Sequence, residues 1–329
     1  MEKYLTSKKT NDMIVIRINM KQIFYTKTPD LTKNLQEIDE LNKELLLLPL
    51  PHNKKLQLRW EAQVGNIYHV FNLSGMRVRR NHIVELLSPN RPNKLSNEDK
   101  LILRYKSLFD IIYYDWTNCP DRLTLDDIKK IILSFNNSKT SIDESVIDRN
   151  LTFLELSSEH PILQSAIAYM NILTQFSPPS HIYIATLVSQ MILCKHGYDF
   201  RRFASISKLF LNDRETYHLI IQDTTRLNSL TNWLEYYCTS VSDELKNIIT
   251  YARSLLEQKS DQNELYTLSD RHKKILSVLD DPSATISNKQ VQELFNISQI
   301  TASRDLANLN ALGLVLPVGK GRSVRYTKA

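Results

Sequence analysis

Six glycines in 329 residues leave this chain few places to turn tightly. Glycine reaches positive φ without strain, so a chain this poor in it suits neither turn-rich architectures nor glycine-rich loops that present amides to phosphate. Helical periodicity dominates instead. Residues 31–48 place Leu31, Leu35, Ile38, Leu41, Leu45 and Leu48 on one face, and Pro49 and Pro51 stop the run. A second helical stretch covers about 54–72 and ends near Gly75. Residues 88–98 read as a loop, after which Ser96, Glu98 and Asp99 start a helix over 97–115. Thr124 precedes another, where Asp126 and Asp127 complement the helix dipole. Two apolar helices follow at about 160–175 and 182–196, divided by residues 176–180. A segment at 203–223 and a long helix at 229–257 complete the run. Residues 13–20 are the one convincing strand before the C-terminal region. The expected class is mainly α.

The length suggests about two domains. A chain 42% hydrophobic and 24% charged has enough apolar material for a substantial core. No apolar run approaches the ~18 residues of a membrane span, and the N-terminus lacks a signal-peptide pattern. Three cysteines, Cys119, Cys194 and Cys238, form no C-x-x-C and have no histidine at ligand spacing. The expectation is a cytoplasmic protein with no disulfide framework, structural metal or cofactor, and no membrane partner.

The formal net charge is +6, and its distribution is uneven. From Leu268 to Ala329 there are nine basic and five acidic residues, so +4 of the total lies in the last 62 residues. The polar run 257–264 is the best linker in the chain. The predicted division is a helical body over 1–257, a linker over 258–266 and a basic domain over 267–329.

In that domain Ser269 caps a helix with Ile275, Val278 and Leu279 predicted inward. Ser287 caps a second, with Val291, Leu294 and Phe295 inward. A turn through Ser298 leads to a third, whose buried stripe is expected from Ile300, Leu306, Leu309 and Leu312, ended by Gly313. Two β runs then flank a basic tip at Val318–Arg322. Helix, helix, turn, helix and basic hairpin is the winged helix-turn-helix layout. Ser298, Gln299, Thr301, Ser303, Arg304 and Asn308 carry the short polar and guanidinium groups of a major-groove reader, and Lys320, Arg322 and Arg325 suit the flanking phosphates of double-stranded DNA. Thr301-Ala302-Ser303-Arg304-Asp305-Leu306, with Gly313-Leu314 and the G-K-G-R hairpin, resembles the winged helices of DeoR-like bacterial regulators. A packing or dimerisation module is the competing reading, with Arg304 pairing to Asp305 or Asp281.

The body resembles the Fic (Fido) family, whose members commonly transfer AMP from ATP to protein hydroxyls. Leu35–Asp39 through Pro49-Leu50 is similar to the N-terminal helix of Fic proteins that carry winged helices, and His160–Ala168 to the segment entering the central helix pair. Gly197–Phe200, Asn212–Tyr217 and Trp233–Tyr237 resemble the later helices. The family signature is H-P-F-x-x-G-N-G-R-x-x-R, in which histidine is the general base and the glycines expose amides to phosphate. Here Phe176 stands at the histidine position, and Ser180, His181 and Tyr183 stand near the G-N-G-R, with Thr186 near the last arginine. Pro178 and Pro179 remove amide donors from this loop. Residues 138–159 show no hairpin pattern for the family's flap, and Ser74 takes the place of its inhibitory glutamate.

No catalytic residue is therefore expected. The resemblance implies a pseudoenzyme scaffold, serving for dimerisation or partner sensing, joined to a DNA-binding regulator. Two readings stand beside it: a nucleotidyl transferase with a rebuilt loop, and a protein–protein adaptor. Arg77, Arg79, Arg80, Arg91 and Lys94 read as a solvated basic face. Tyr113, Tyr114, Trp116, Trp233, Tyr236 and Tyr237 have helical spacings that suit a core.

Overall fold

The computed structural model describes residues 13–18, 21–88, 94–115, 125–135, 158–176, 178–257, 268–279, 284–311, 314–318 and 324–328. In chain order the elements are β1 (Met13–Ile18), β2 (Lys21–Thr26), α1 (Pro29–Leu47), α2 (His52–Leu73), α3 (Arg80–Leu87), α4 (Asn97–Asp115), α5 (Leu125–Phe135), α6 (Pro161–Gln175) and α7 (Ser180–Lys195). A 3-10 turn at Phe200–Arg202 precedes α8 (Ser207–Asn212), α9 (Arg214–Leu227) and α10 (Thr231–Glu257). Then come α11 (Asp270–Val278), β3 (Ile286–Ser287), α12 (Asn288–Phe295), α13 (Gln299–Ala311), β4 (Val315–Val318) and β5 (Arg325–Lys328). The chain divides into two compact units. One comprises Met1–Leu47, Gly65–Arg77 and Arg104–Ile249, the other Leu48–Val64, Val78–Leu103 and Thr250–Ala329.

The first unit opens on an antiparallel hairpin, with Met13 opposite Thr26 and Ile18 opposite Lys21. Sequence alternation predicts only the first of these strands. The second is held by a distant segment: Phe24 N donates to Asn228 O at 3.1 Å and accepts through its own carbonyl from Leu230 N at 2.8 Å. Asn228 takes the left-handed conformation (φ 51°) that ends α9 and turns the chain toward this strand.

Thr28 caps α1, accepting from Leu31 N at 3.1 Å while its hydroxyl donates to Glu235 Oε1. Further along, Glu37 meets Ser242 Oγ at 2.6 Å and Lys246 Nζ at 2.8 Å, so α1 is bonded along α10. Helices α6 and α7 form the central antiparallel pair, buried from Ile162 to Ile172 and from Ile182 to Cys194. Trp233 Nε1 on α10 donates to Ala166 O at 2.8 Å, and a buried triangle of hydroxyls on Ser165, Ser189 and Tyr237 ties the same three helices. Hydroxyls this deep are tolerable because each finds a partner. Trp233, Tyr237 and Tyr113 are core residues, as their spacing predicts. The side chains of Tyr114 and Trp116 lie outside the described residues.

In the second unit α3 is an element the sequence reading misses. It buries Ile83 and Leu86 from a stretch that the neighbouring arginines make look like surface. Arg77 of the first unit and Arg79, Arg80 and Lys94 of this one are exposed. A reciprocal box starts α4: Ser96 Oγ accepts from Asp99 N at 3.0 Å, and Asp99 Oδ2 accepts from Ser96 N at 2.9 Å. The C-terminal segment packs Ile275, Leu279, Ile286, Val291, Ala302, Leu306, Leu309 and Val315 into one small core. Its three strands run antiparallel in the order β3-β5-β4. The expected linker, 258–266, lies outside the described residues.

Candidate functional site

The helix-turn-helix is built by local caps. Ser269 Oγ accepts from His272 N, opening α11. Ser287 and Gln290 form a full capping box on α12, and Asn296 in the left-handed region ends it (φ 51°). Ser298 Oγ then accepts from Thr301 N at 3.3 Å, which starts α13 after a three-residue turn, 296–298. Asn288 Nδ2 donates to Ser303 Oγ at 2.8 Å and to Gln299 O at 3.3 Å, fixing the angle between α12 and α13.

One side of α13 is core: Ala302, Leu306 and Leu309 are fully buried. Asp305 sits beside them, only 5% exposed, with its carboxylate 2.9 Å from Arg271 Nε and 3.3 Å from His272 Nε2. The other side carries the sequence-predicted readers. Ser298, Gln299, Ser303, Arg304 and Asn308 are exposed and Thr301 is half-buried. Asp305 is thus spoken for by α11, and Arg304 has no ion-pair partner among the described residues. Asp281, its other suggested partner, lies outside them. On the hairpin, Arg325 is exposed and reaches Thr285 Oγ1 at 3.4 Å. Lys320 and Arg322 lie outside the described residues, as do Leu312 and Gly313.

Three expected core residues are not core. Val278 is 41%, Leu294 47% and Ile300 72% exposed. The inward positions of α11 are His272, Ile275 and Leu279, spaced i, i+3 and i+7, which leaves Val278 off the stripe. On α12, Val291 is buried and Phe295, four residues on, packs against the core, so Leu294 falls at the edge. On α13, Ile300 lies two residues from Ala302, about 200° around the helix from it.

The second candidate is the turn between α6 and α7. Phe176 caps α6, its N–H donating to Ile172 O at 3.1 Å. Ser180 and His181 open α7, both half-buried, and burial holds the His181 imidazole below its ordinary pKa. Tyr183 points inward. It is 1% exposed, its ring is stacked on Phe71 at 4.7 Å, and its hydroxyl lies 2.9 Å from Ser74 Oγ. Ser74 donates its own proton to Phe71 O at 2.7 Å, so Tyr183 is the donor between the two. Gly75 at φ +94° closes α2 there, placing Ser74 over the start of α7. Thr186 Oγ1 donates back to Ile182 O at 2.8 Å. A cavity of about 10 Å³ behind it, lined by Asn66, Thr186, Ser189, Gln190 and Tyr237 among others, has room for one water and not for a nucleotide. Residues 138–157, where a flap would lie, are outside the described residues. Among the described residues no group of three histidine, cysteine or acidic side chains is placed to hold a metal ion. No described helix is long and apolar enough to cross a membrane.

Comparison with known proteins gives matches for the C-terminal domain and for the fold. A family model of the DeoR-like helix-turn-helix domain matches residues 271–322. The fold matches the crystal structure of a Fic family protein from Desulfovibrio desulfuricans G20, with a TM-score of 0.61 and 13% identity, covering 93% of this chain and 97% of that one. No curated protein sequence matches the chain. The chain therefore has a mainly α, Fic-like fold and carries a DeoR-like helix-turn-helix at its C-terminal end.

Proposed function

We propose that the protein is a DNA-binding transcriptional regulator whose Fic-like body transfers no nucleotide. The observation that carries the reading is α13. Its apolar side fills the domain core, and its outer side presents Gln299, Ser303, Arg304 and Asn308 to solvent, with Arg304 in no ion pair among the described residues. A helix so divided offers base-edge contacts without disturbing its own fold. The DeoR-like match and the +4 net charge of the last 62 residues support the same partner. On this reading Lys320, Arg322 and Arg325 meet phosphates, and the domain spans 267–329 behind a linker at 258–266.

Catalytic silence is supported by where the loop residues go. Tyr183 and Thr186, near the family's arginine positions, bond within the first unit's interior, and Phe176 is a helix cap without a titratable group. The body then serves as a scaffold, for which a homodimer reading two half-sites is the natural arrangement.

The test is retention of the full-length chain on duplex DNA across a salt series. Counterion release makes affinity fall steeply as salt rises, and Lys320→Ala or Arg322→Ala each lower the slope of log affinity against log salt by about one. A chain with no salt-sensitive affinity for any duplex from a random pool refutes the proposal.

A further inference from the structure

Ile300 is 72% exposed on a helix whose other described large aliphatic side chains, Leu306 and Leu309, are fully buried. A lone exposed aliphatic group is common and carries no message by itself. Its neighbours supply one. Ile300, Ser303, Arg304 and Ala307 recur at i, i+3, i+4 and i+7, all four are exposed, and they form one stripe opposite the core. Along that stripe the chemistry runs aliphatic, hydroxyl, guanidinium, methyl. Each has a counterpart on the edges of base pairs in the major groove: the guanidinium for guanine acceptors, the hydroxyl for either kind of partner, the apolar groups for the C5-methyl of thymine. Ser303 already accepts from Asn288, so its own proton is left to donate outward. Gln299, exposed beside Ile300, has the amide that pairs with an adenine edge.

Resting on the DNA reading above, we propose that Ile300 is a specificity-determining residue that reads thymine, packing its side chain on the C5-methyl group at one position of each half-site. The first turn of α13 then selects an A·T-containing step, and Arg304, one turn further, selects the adjacent base pair. Cytosine carries only hydrogen at C5, so an aliphatic side chain finds no methyl group to pack on there.

The experiment uses the full-length chain and a duplex enriched from a random pool. Each thymine of the enriched site is replaced in turn by deoxyuridine, which removes only the methyl group. The wild type loses about fourfold in affinity at one thymine per half-site, the worth of one buried methyl group. Ile300→Ala binds the thymine duplex more weakly by a similar factor and no longer distinguishes thymine from uracil, whereas Ile300→Val keeps part of the discrimination. Both variants keep the wild-type melting temperature, because the side chain lies outside the core and alanine favours the helix. Equal binding of thymine and uracil duplexes by the wild type, full discrimination by Ile300→Ala, or an enriched site without thymine overturns the proposal while leaving DNA binding intact. A chain with no salt-sensitive duplex affinity refutes the DNA reading and this inference with it.

Discussion

Arg271 Nε lies 2.9 Å from Asp305 Oδ2, and this pairing decides which of two adjacent charges on α13 faces the core. Asp305 turns inward to α11, where His272 adds a second contact. Arg304, one residue earlier and 100° around the helix, is left in solvent. Fold and recognition are thereby separated onto neighbouring positions.

The two arginines should separate in the same way. Arg271→Ala is expected to lower the melting temperature, because it strips the buried Asp305 of its best partner. Arg304→Ala is expected to leave melting unchanged and to relax sequence preference, by about 1–3 kcal/mol if its contact to guanine is bidentate. Thermal melts alongside affinities for a matched and a scrambled duplex check both.

At the other site, Tyr183→Phe removes the hydroxyl that Ser74 accepts from, at an expected cost of about 1 kcal/mol of stability in urea unfolding. Incubation with labelled ATP is expected to leave no label on the chain or on lysate proteins. Incorporation that disappears in His181→Ala would overturn the reading of this loop as silent.

The start of α4 carries a pH dependence. Burial pushes the Asp99 carboxyl up, but the Ser96 backbone N–H, the His82 imidazole and the Ser96 hydroxyl outweigh it, so its pKa lies below the ordinary 3.8. A depressed acid stabilises the fold above its unfolded pKa and loses that contribution as pH falls through the folded value. The stability gap between wild type and Asp99→Asn should be full near neutrality and close below the ordinary aspartate range. Ser96→Ala should cost about 0.5–2 kcal/mol at neutral pH. Urea unfolding across a pH series tests both statements.

Limited proteolysis of the full-length chain should cut first within 258–266, the polar run proposed as the linker. First cleavage inside 182–257 would reject that boundary.

Caps and stops were legible in the sequence because they are local. Ser96, Ser269 and Ser287 each bond an amide three residues on, and Gly75 ends α2 by its own φ. What escaped depends on distant partners or on which side of a short helix counts as inside. β2 takes part of its backbone bonding from Asn228 and Leu230, about 200 residues away. α3 is only eight residues long and begins at Arg80, so two buried side chains hide among charges. In the helix-turn-helix, each helix was assigned by apolar content, and Val278, Leu294 and Ile300 are apolar at angles the core does not occupy. The candidate interface was legible as a set of residue types. The commitment of Asp305 to Arg271 was not, since nothing in spacing links positions 34 residues apart.

The bonds between α1 and α10 have a consequence during synthesis. Thr28 meets Glu235 across 207 residues and Glu37 meets Ser242 across 205, while Leu31, Ile38 and Leu45 of the same helix need cover. At ~5–20 residues per second, α1 leaves the ribosome about 10–40 s before these α10 partners exist. Throughout that interval α1 stands without them, and truncation before α10 would release a nascent chain whose first helix lacks those partners.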